Sequence, residues 1–397
     1  MRELTSLGDR IGRVTVVNTC AVTSESERKS KSTVRRVRRQ DKDAFVAVIG
    51  CSSQLHAEEY LQNADFVCGT RNKRDAVKAA LCHFEGREYE RVCIKDPSLL
   101  PYEEMEAPQT ERTRAYVKIE DGCNRKCAYC IIAKARGRAV SDSEDAIISR
   151  LIAIREAGYR EAVLTGIETS YYGTDTKSSL VSLLQRADEL GFDRLRLGSM
   201  DPSYFTDERI ASLAHIRHLA PHFHLSLQSG SSSVLARMRR PYTADTVYNV
   251  VEKLRRAIPG IRFSLDVIVG FPGETEEEFL ETVRLLEFIR PVHAHIFPYS
   301  KREGTEAAKM PGQISGCVKR ERAARLDLLQ NELEKRHAKE MQGKTVQILF
   351  EAREGEYVTG HAPDFTFYRV KTEKDISGSI ADVKTVGFAD GVYEGEI

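Results

Sequence analysis

Gly122-Cys123-Asn124-Arg125-Lys126-Cys127-Ala128-Tyr129-Cys130 sets three cysteines at C-x3-C-x2-C spacing, directly after the apolar run Ala115 to Ile119. No histidine or fourth cysteine lies near enough to complete a four-ligand zinc site. Three thiolates on a tight loop suit three irons of a four-iron cluster, which leaves the fourth iron open for chemistry. A zinc knuckle with a distant fourth ligand is the alternative that spacing alone leaves standing.

Outward from this loop, residues 115 to about 300 alternate between two periodicities. Apolar runs Ala115–Glu120, Glu161–Thr165, Arg194–Leu197, His222–Leu227, Arg262–Gly270 and His293–Tyr299 read as strands. Helical patterns Ser143–Ala157, Ser179–Leu190, Asp207–Ile216, Thr243–Ile258 and Glu274–Phe288 separate them. Such β/α steps predict a parallel sheet curved toward a barrel, with the cysteine loop on its carboxyl-end face. Other strand ends carry Gly166 and Glu168, Ser226 and Gln228, and Gly270. Glycine admits close backbone approach, and a helix start offers N–H donors to polar groups. These five residues are therefore candidate cofactor contacts; no catalytic acid or base is singled out.

Upstream, Val14–Cys20 and Phe45–Cys51 are β-branched or apolar runs that each end in cysteine. Parallel buried strands would place Cys20 and Cys51 on one ligand-binding edge. Between them, Arg28 to Arg39 holds seven basic residues and no acid, on a helix that Ser24 or Ser26 can cap. Arg35, Arg36, Arg38 and Arg39 are candidate RNA contacts, a solvated basic face being the plainer alternative. Asp65–Thr70 reads as a third strand, and Cys68, Cys82, Cys93 and Cys317 read as structural. Residues 95–114 read as a proline-punctuated linker.

Residues 313–342 form one long charged amphipathic pattern. Five short β patterns with glycine turns follow from Gly343, as in a small barrel. Phe365, Phe367 and Tyr368 are candidates for stacking on bases. With 60 basic and 59 acidic residues among 397, whole-chain charge argues neither for nor against nucleic acid. Nine cysteines, an odd number in so long a chain, fit a reducing compartment with thiolates left for metal. No apolar run approaches the roughly 20 residues of a membrane span and no signal-peptide pattern is present, so a cytoplasmic protein is expected.

The cysteine loop, with Tyr129 beside the last cysteine, resembles the signature of the radical S-adenosylmethionine (SAM) enzymes. Asp121–Gly137, Leu225–Gly230, Gly270–Thr275 and His295–Thr305 resemble its methylthiotransferases, and the likeness runs from about residue 12 to the end. It implies an α/β fold of three domains. These are an amino-terminal flavodoxin-like domain (1–100), a partial (β/α)6 radical-SAM barrel with a trailing helix (112–342) and a TRAM-like β-barrel (343–397). It implies a 4Fe-4S cluster on Cys123, Cys127 and Cys130, whose open iron holds SAM for reductive cleavage, with the Tyr129 backbone near the adenine. It also implies a second 4Fe-4S cluster, to which Asn18-Thr19-Cys20 and Gly50-Cys51 match two of three ligands. The reaction implied is methylthiolation of C2 of a modified adenosine beside the tRNA anticodon. Ala135-Arg136-Gly137 and Phe297-Pro298-Tyr299-Ser300 look most like the subgroup acting on N6-threonylcarbamoyladenosine. Subgroups acting on isopentenyladenosine or on a ribosomal-protein aspartate are alternatives. A catalytically silent iron–sulfur RNA-binding protein is a reading from another class. Partners expected are tRNA, an electron donor such as flavodoxin or ferredoxin, and a sulfur donor; a monomer is expected. Ala133-Lys134 stands where the family has Pro-Tyr, a departure that bears on substrate fit and on no ligand.

The third ligand of the second cluster is expected upstream of Asn18-Thr19-Cys20, yet no cysteine occurs before Cys20. Met1–Arg13 is short for a strand and a helix of about 5 and 11 residues. An amino-terminally truncated domain, weak in sulfur insertion, is the expectation.

Overall fold

The computed structural model describes residues 12–104 and 113–397. The opening residues on which the truncation expectation rests, and residues 105–112 of the expected linker, lie outside them. The described chain falls into two compact units. The first ends at Glu104 and regains Asp121–Val140 and Ser300–Lys309; the second runs through Glu120 and holds Ser141–Tyr299 and Met310–Ile397.

In the first unit, β1 (Val14–Thr19), β2 (Phe45–Gly50), β3 (Phe66–Cys68) and β4 (Val92–Cys93) form a parallel sheet in sequential order. Every residue of β2 is buried, as a strand covered on both faces requires. One side packs Phe45, Ala47 and Phe66 on Ala76, Ala79 and Ala80 of α3 (Arg74–Phe84). The other packs Val46, Val48 and Val67 with Val34 of α1 (Ser24–Gln40). The cap of α1 is Thr23, not Ser24 or Ser26 as the sequence suggests: its side chain and that of Ser26 close a reciprocal capping box. Glu25 and Glu27 lie in the first turn and Arg38 and Arg39 in the last, which complements the helix dipole. The two-residue strand β4 is too short to announce itself by alternation and is defined by pairing Cys68 with Cys93. Helix α2 (Cys51–Leu55) follows β2, and α4 (Ile132–Arg136) follows the cysteine loop.

The second unit is the curved parallel sheet that the alternation predicts. β5 (Arg114–Lys118), β6 (Glu161–Thr165) and β7 (Arg194–Leu197) form one part. β8 (Ser199–Met200), β9 (His222–Gln228), β10 (Arg262–Val269) and β11 (His293–Pro298) form the other. Gly198 separates β7 from β8, so one strand position serves both parts. Helices α5 (Glu144–Glu156), α6 (Leu180–Asp188), α7 (Asp207–Ala214), α8 (Ser232–Arg237), α9 (Ala244–Ala257) and α10 (Glu276–Ile289) bury their apolar stripes against the strands in one continuous core. All but α8 follow the sequence reading closely.

Helix α11 (Gly316–Met341) leads to β12 (Thr345–Glu354), β13 (Tyr357–His361), β14 (Phe367–Lys371), β15 (Ile380–Ala389) and β16 (Val392–Glu396), which close into a small barrel. Tyr368 is fully buried in its core, which removes it from the base-stacking candidates. Phe365 has φ +75° and stacks on His222 at 4.9 Å between ring centres, with the Arg114 and Arg196 guanidinium groups over its ring. It joins the small barrel to the large sheet and is not presented to a base. Phe367, half-buried beside His361, is the remaining aromatic of the three.

Candidate iron–sulfur and cofactor site

Within the first unit the chain brings both sets of cysteines into one body. Gly122 enters the cysteine loop at φ +95°, and a Cβ there would stand 2.2 Å from Arg138 O and 2.3 Å from the Arg71 guanidinium. Only glycine fits such a turn. Arg71 donates to Asp121 O and Arg138 O at 2.6 Å each, and Cys123 N–H donates to Gly137 O at 3.1 Å, so the loop is closed at its neck. Inside it, Arg125 N–H donates to Cys123 Sγ and Ile132 N–H to Cys130 Sγ, both at 3.4 Å. Backbone donors on a ligating sulfur tune the metal group it holds. The same i+2 geometry recurs at Cys20, whose Sγ accepts from Val22 N–H at 3.5 Å. Among the described residues no three Cys, His, Asp or Glu side chains converge closely enough for a single metal ion. Thiolates that each hold a different iron of a cube stand farther apart than the ligands of one ion.

Cys20 follows β1, and Cys51 opens α2 after β2, at the carboxyl ends of paired strands. Gly50 makes this turn at φ +110°, where a Cβ would lie 2.5 Å from Thr19 O. Burial pushes the Cys51 thiol up, and the Arg136 guanidinium, donating from Nε at 3.2 Å, pulls against it. Arg136 also donates to Asp121 at 2.8 Å. One guanidinium thus spans the entrance of the cysteine loop and the second cysteine site. Cys68 lies in the sheet core, where burial pushes its thiol up to about 12 and keeps it neutral.

The second unit holds the other candidates. Glu120 accepts from Ile167 N–H at 2.9 Å and Glu168 N–H at 3.1 Å, and a Cβ on Gly166 would meet its carboxylate at 2.4 Å. Glu168 is buried and receives the Ser170 hydroxyl at 2.6 Å. Ser226 is buried; its carbonyl accepts the Tyr242 hydroxyl at 2.6 Å and Arg240 at 3.2 Å, and Arg240 pairs with Asp201. Gln228 sits at φ +66° beside a break in strand register, a strained backbone of the kind held at functional sites. Gly270 takes φ +70°, and its N–H donates to the Glu274 carboxylate at 3.1 Å. Burial raises the Glu274 carboxyl, opposed by the Gly270 and Phe271 amides and by Arg322 at 2.7 Å. Also in the second unit, His224 meets Asp266 at 3.1 Å, and the exposed His293 and His295 rings lie 4.5 Å apart.

Two family models match the chain: the radical SAM superfamily over residues 117–286, and the uncharacterized protein family UPF0004 over residues 8–69. Threonylcarbamoyladenosine tRNA methylthiotransferase MtaB of Bacillus subtilis (strain 168) is 37% identical, over 96% of this chain and 87% of its own length. The enzyme of the same name from Thermotoga maritima is 36% identical over 85% of this chain and 77% of its own. The chain belongs to the radical SAM methylthiotransferase family.

A tRNA-2-methylthio-N(6)-dimethylallyladenosine synthase of Thermoanaerobacter sp. (strain X514) is 31% identical to this methylthiotransferase over 97% of the chain and 84% of its own length. The fold is that of the radical SAM methyltransferase TsrM of Kitasatospora setae, with TM-score 0.55 and 17% identity over 75% of this chain and 64% of the other. Membership implies a four-iron cluster and SAM. The closed glycine-necked loop, its thiol set and its sulfur-directed amides fit that cluster. Of the basic residues on α1 in this methylthiotransferase, Arg38 is turned inward onto Asn63 O, Lys42 O, Ala44 O and the Asp65 carboxylate. Arg35, Arg36 and Arg39 are exposed. Glu120, Arg136, Glu274 and Arg302 escape the sequence reading as site residues, although each lies in or beside a quoted motif. The visible signal was charge within two residues of a glycine; their partners were not visible. Among the described residues no helix is long and apolar enough to cross a membrane.

Proposed function

We propose that this methylthiotransferase adds a methylthio group to C2 of N6-threonylcarbamoyladenosine beside the anticodon of tRNA. The reading is carried by similarity over 96% of the chain to the Bacillus subtilis enzyme of that name. Bound at Cys123, Cys127 and Cys130, a four-iron cluster supplies one-electron reductive cleavage of SAM. Gly166, Glu168, Ser226, Gln228 and Gly270 form the strand ends that take SAM. Glu120 and Glu274 hold two of those turns by their amides. Cys20 and Cys51 contribute to the sulfur-delivering cluster, and Arg136 orients the Cys51 sulfur. Arg35, Arg36 and Arg39 meet tRNA phosphates, which favours RNA over a ribosomal protein as substrate. A flavodoxin or ferredoxin electron donor, a sulfur donor, a cytoplasmic location and a monomeric state complete the reading.

Mass spectrometry of tRNA nucleosides from cells lacking the protein, with and without its return, tests the substrate. Methylthio groups restored on threonylcarbamoyladenosine support the proposal. Restoration on isopentenyladenosine alone selects the sister activity, which the 31% identity to the Thermoanaerobacter enzyme keeps as the second reading.

A further inference from the structure

Helix α1 and the segment Ser300–Lys309 meet within the first unit. Ser24 N–H donates to Ser300 Oγ at 3.2 Å, the Ser24 hydroxyl donates to Lys301 O at 3.2 Å, and Arg302 pairs with Glu27. The same segment reaches the cysteine loop, where Ala307 N–H donates to Ala128 O at 2.8 Å and Lys134 Nζ to Gly304 O at 2.6 Å. Beside this junction opens a cleft of about 670 Å³, whose walls carry five cationic side chains against three carboxylates.

Most of that charge is already engaged. Glu27 takes Arg302 and, at 2.7 Å, Lys31; Glu59 takes Lys31 at 2.5 Å; Arg28 is held by Glu25 at 2.8 Å. Arg35 and Lys301 are different: both line the cleft, both are exposed, and among the described residues neither side chain has a hydrogen-bond or ion-pair partner. Arg302 is only 7% exposed, yet its Nε–H has no partner among the described residues. A buried guanidinium N–H without an acceptor is costly, and an anion drawn against this guanidinium would offset part of that cost. The one opposing charge left over is the exposed Glu303.

We propose that this cleft is a phosphodiester-binding site for the RNA substrate, with Arg35, Lys301 and Arg302 as its contacts. The inference rests on the tRNA reading above and assigns it a place. A phosphodiester offers two non-bridging oxygens to separate donors and needs no deep enclosure. Arg28, Ser32, Arg35 and Arg39 recur at four- and three-to-four-residue steps along one face of α1. A strand entering the cleft therefore continues along a row of donors. Because the segment that forms one wall is bonded to the cysteine loop, a phosphate held there fixes the RNA relative to that loop.

The test is the affinity of the full reconstituted chain for tRNA as a function of salt. The R35Q/K301Q variant is expected to bind about tenfold more weakly at about 0.1 M salt. Its log–log salt slope should flatten by about 0.8, since each phosphate neutralised adds about 0.7 to 0.9 to the slope. R35K/K301R should keep the parent slope, and E303Q should tighten binding; equal melting temperatures certify the fold of each. Parent tRNA binding with an unchanged slope in R35Q/K301Q overturns the cleft and leaves the tRNA reading intact. A parent that binds no tRNA at any salt overturns both.

Discussion

Gly122 and Glu161 show how much one residue decides here. Replacing Gly122 by Ala puts a Cβ 2.2 Å from Arg138 O on a backbone at φ +95°, a strain of about 1–3 kcal/mol confined to the loop neck. G122A is expected to keep the parent far-UV circular dichroism and lose iron on reconstitution; parent iron content would show that the neck does not shape the loop. Glu161 is 1% exposed and faces Arg196 at 3.0 Å, Arg114 at 3.6 Å and Arg194 at 3.8 Å. Burial pushes its carboxyl up, but the arginines hold it below the ordinary carboxylate range. E161Q leaves buried guanidinium groups without their shared anion, at a cost of about 3–5 kcal/mol. Denaturant unfolding measures this, and a loss below about 1 kcal/mol would mean that water takes the place of the carboxylate.

At the scale of elements, the second unit ends in a barrel that is fastened, not tethered. Arg114 pairs with Glu351, Arg194 donates to Gln347 O at 2.8 Å and His361 O at 2.9 Å, and Arg196 donates to Pro363 O at 3.2 Å. Phe365 sits among these groups in the left-handed region, a conformation that a non-glycine residue keeps only when its surroundings hold it. F365A removes the ring beneath two guanidinium groups and against two imidazoles, those of His222 and His361, and is expected to cost about 2 kcal/mol. Limited proteolysis should then cut first between β11 and β16; an unchanged cleavage pattern would make the ring dispensable to the junction. The parallel run of strands, and the placement of α5, α6, α7, α9 and α10, were legible from alternation alone; the order of strands within each sheet was not. The fastening was not, because arginines on strands read simply as polar interruptions until their acceptors are known.

Across the whole molecule, acid sensitivity follows from buried imidazoles. Burial pulls the pKa of His222 well down, that of His361 down, and that of His337 to about 4. Each folded value lies below the unfolded one, so the unfolded chain binds the proton more readily. The stability involved is intact above pH about 6.5 and is lost as pH falls toward the folded values. For His337 the loss reaches about 2 kcal/mol at pH 5. Carboxylates such as Glu278, held at about 2 mainly by Arg237, begin to contribute their own loss only below about 4.5. Melting temperature should therefore decline between pH 7.5 and 5, before carboxylates titrate, and H337Q should flatten the decline. A parent melting temperature constant over that range would contradict the assignment.

The amino-acid sequence by itself determined the cysteine loop, the β/α alternation, the strand-end glycines and the closing β segments. These are local signals, carried by spacing and by periods of two or of 3.6 residues, and neighbours along the chain suffice to produce them. Tertiary structure alone decided which charges meet. Arg302 finds Glu27 across 275 positions, Arg136 finds Cys51 across 85, and Glu120 finds the Gly166–Glu168 turn across 47 and 48. It also decided that Arg38 is structural while Arg35 stays open, and that Tyr368 is core. Such pairings leave no period in the sequence, because a buried charge is fixed by whichever distant element closes over it.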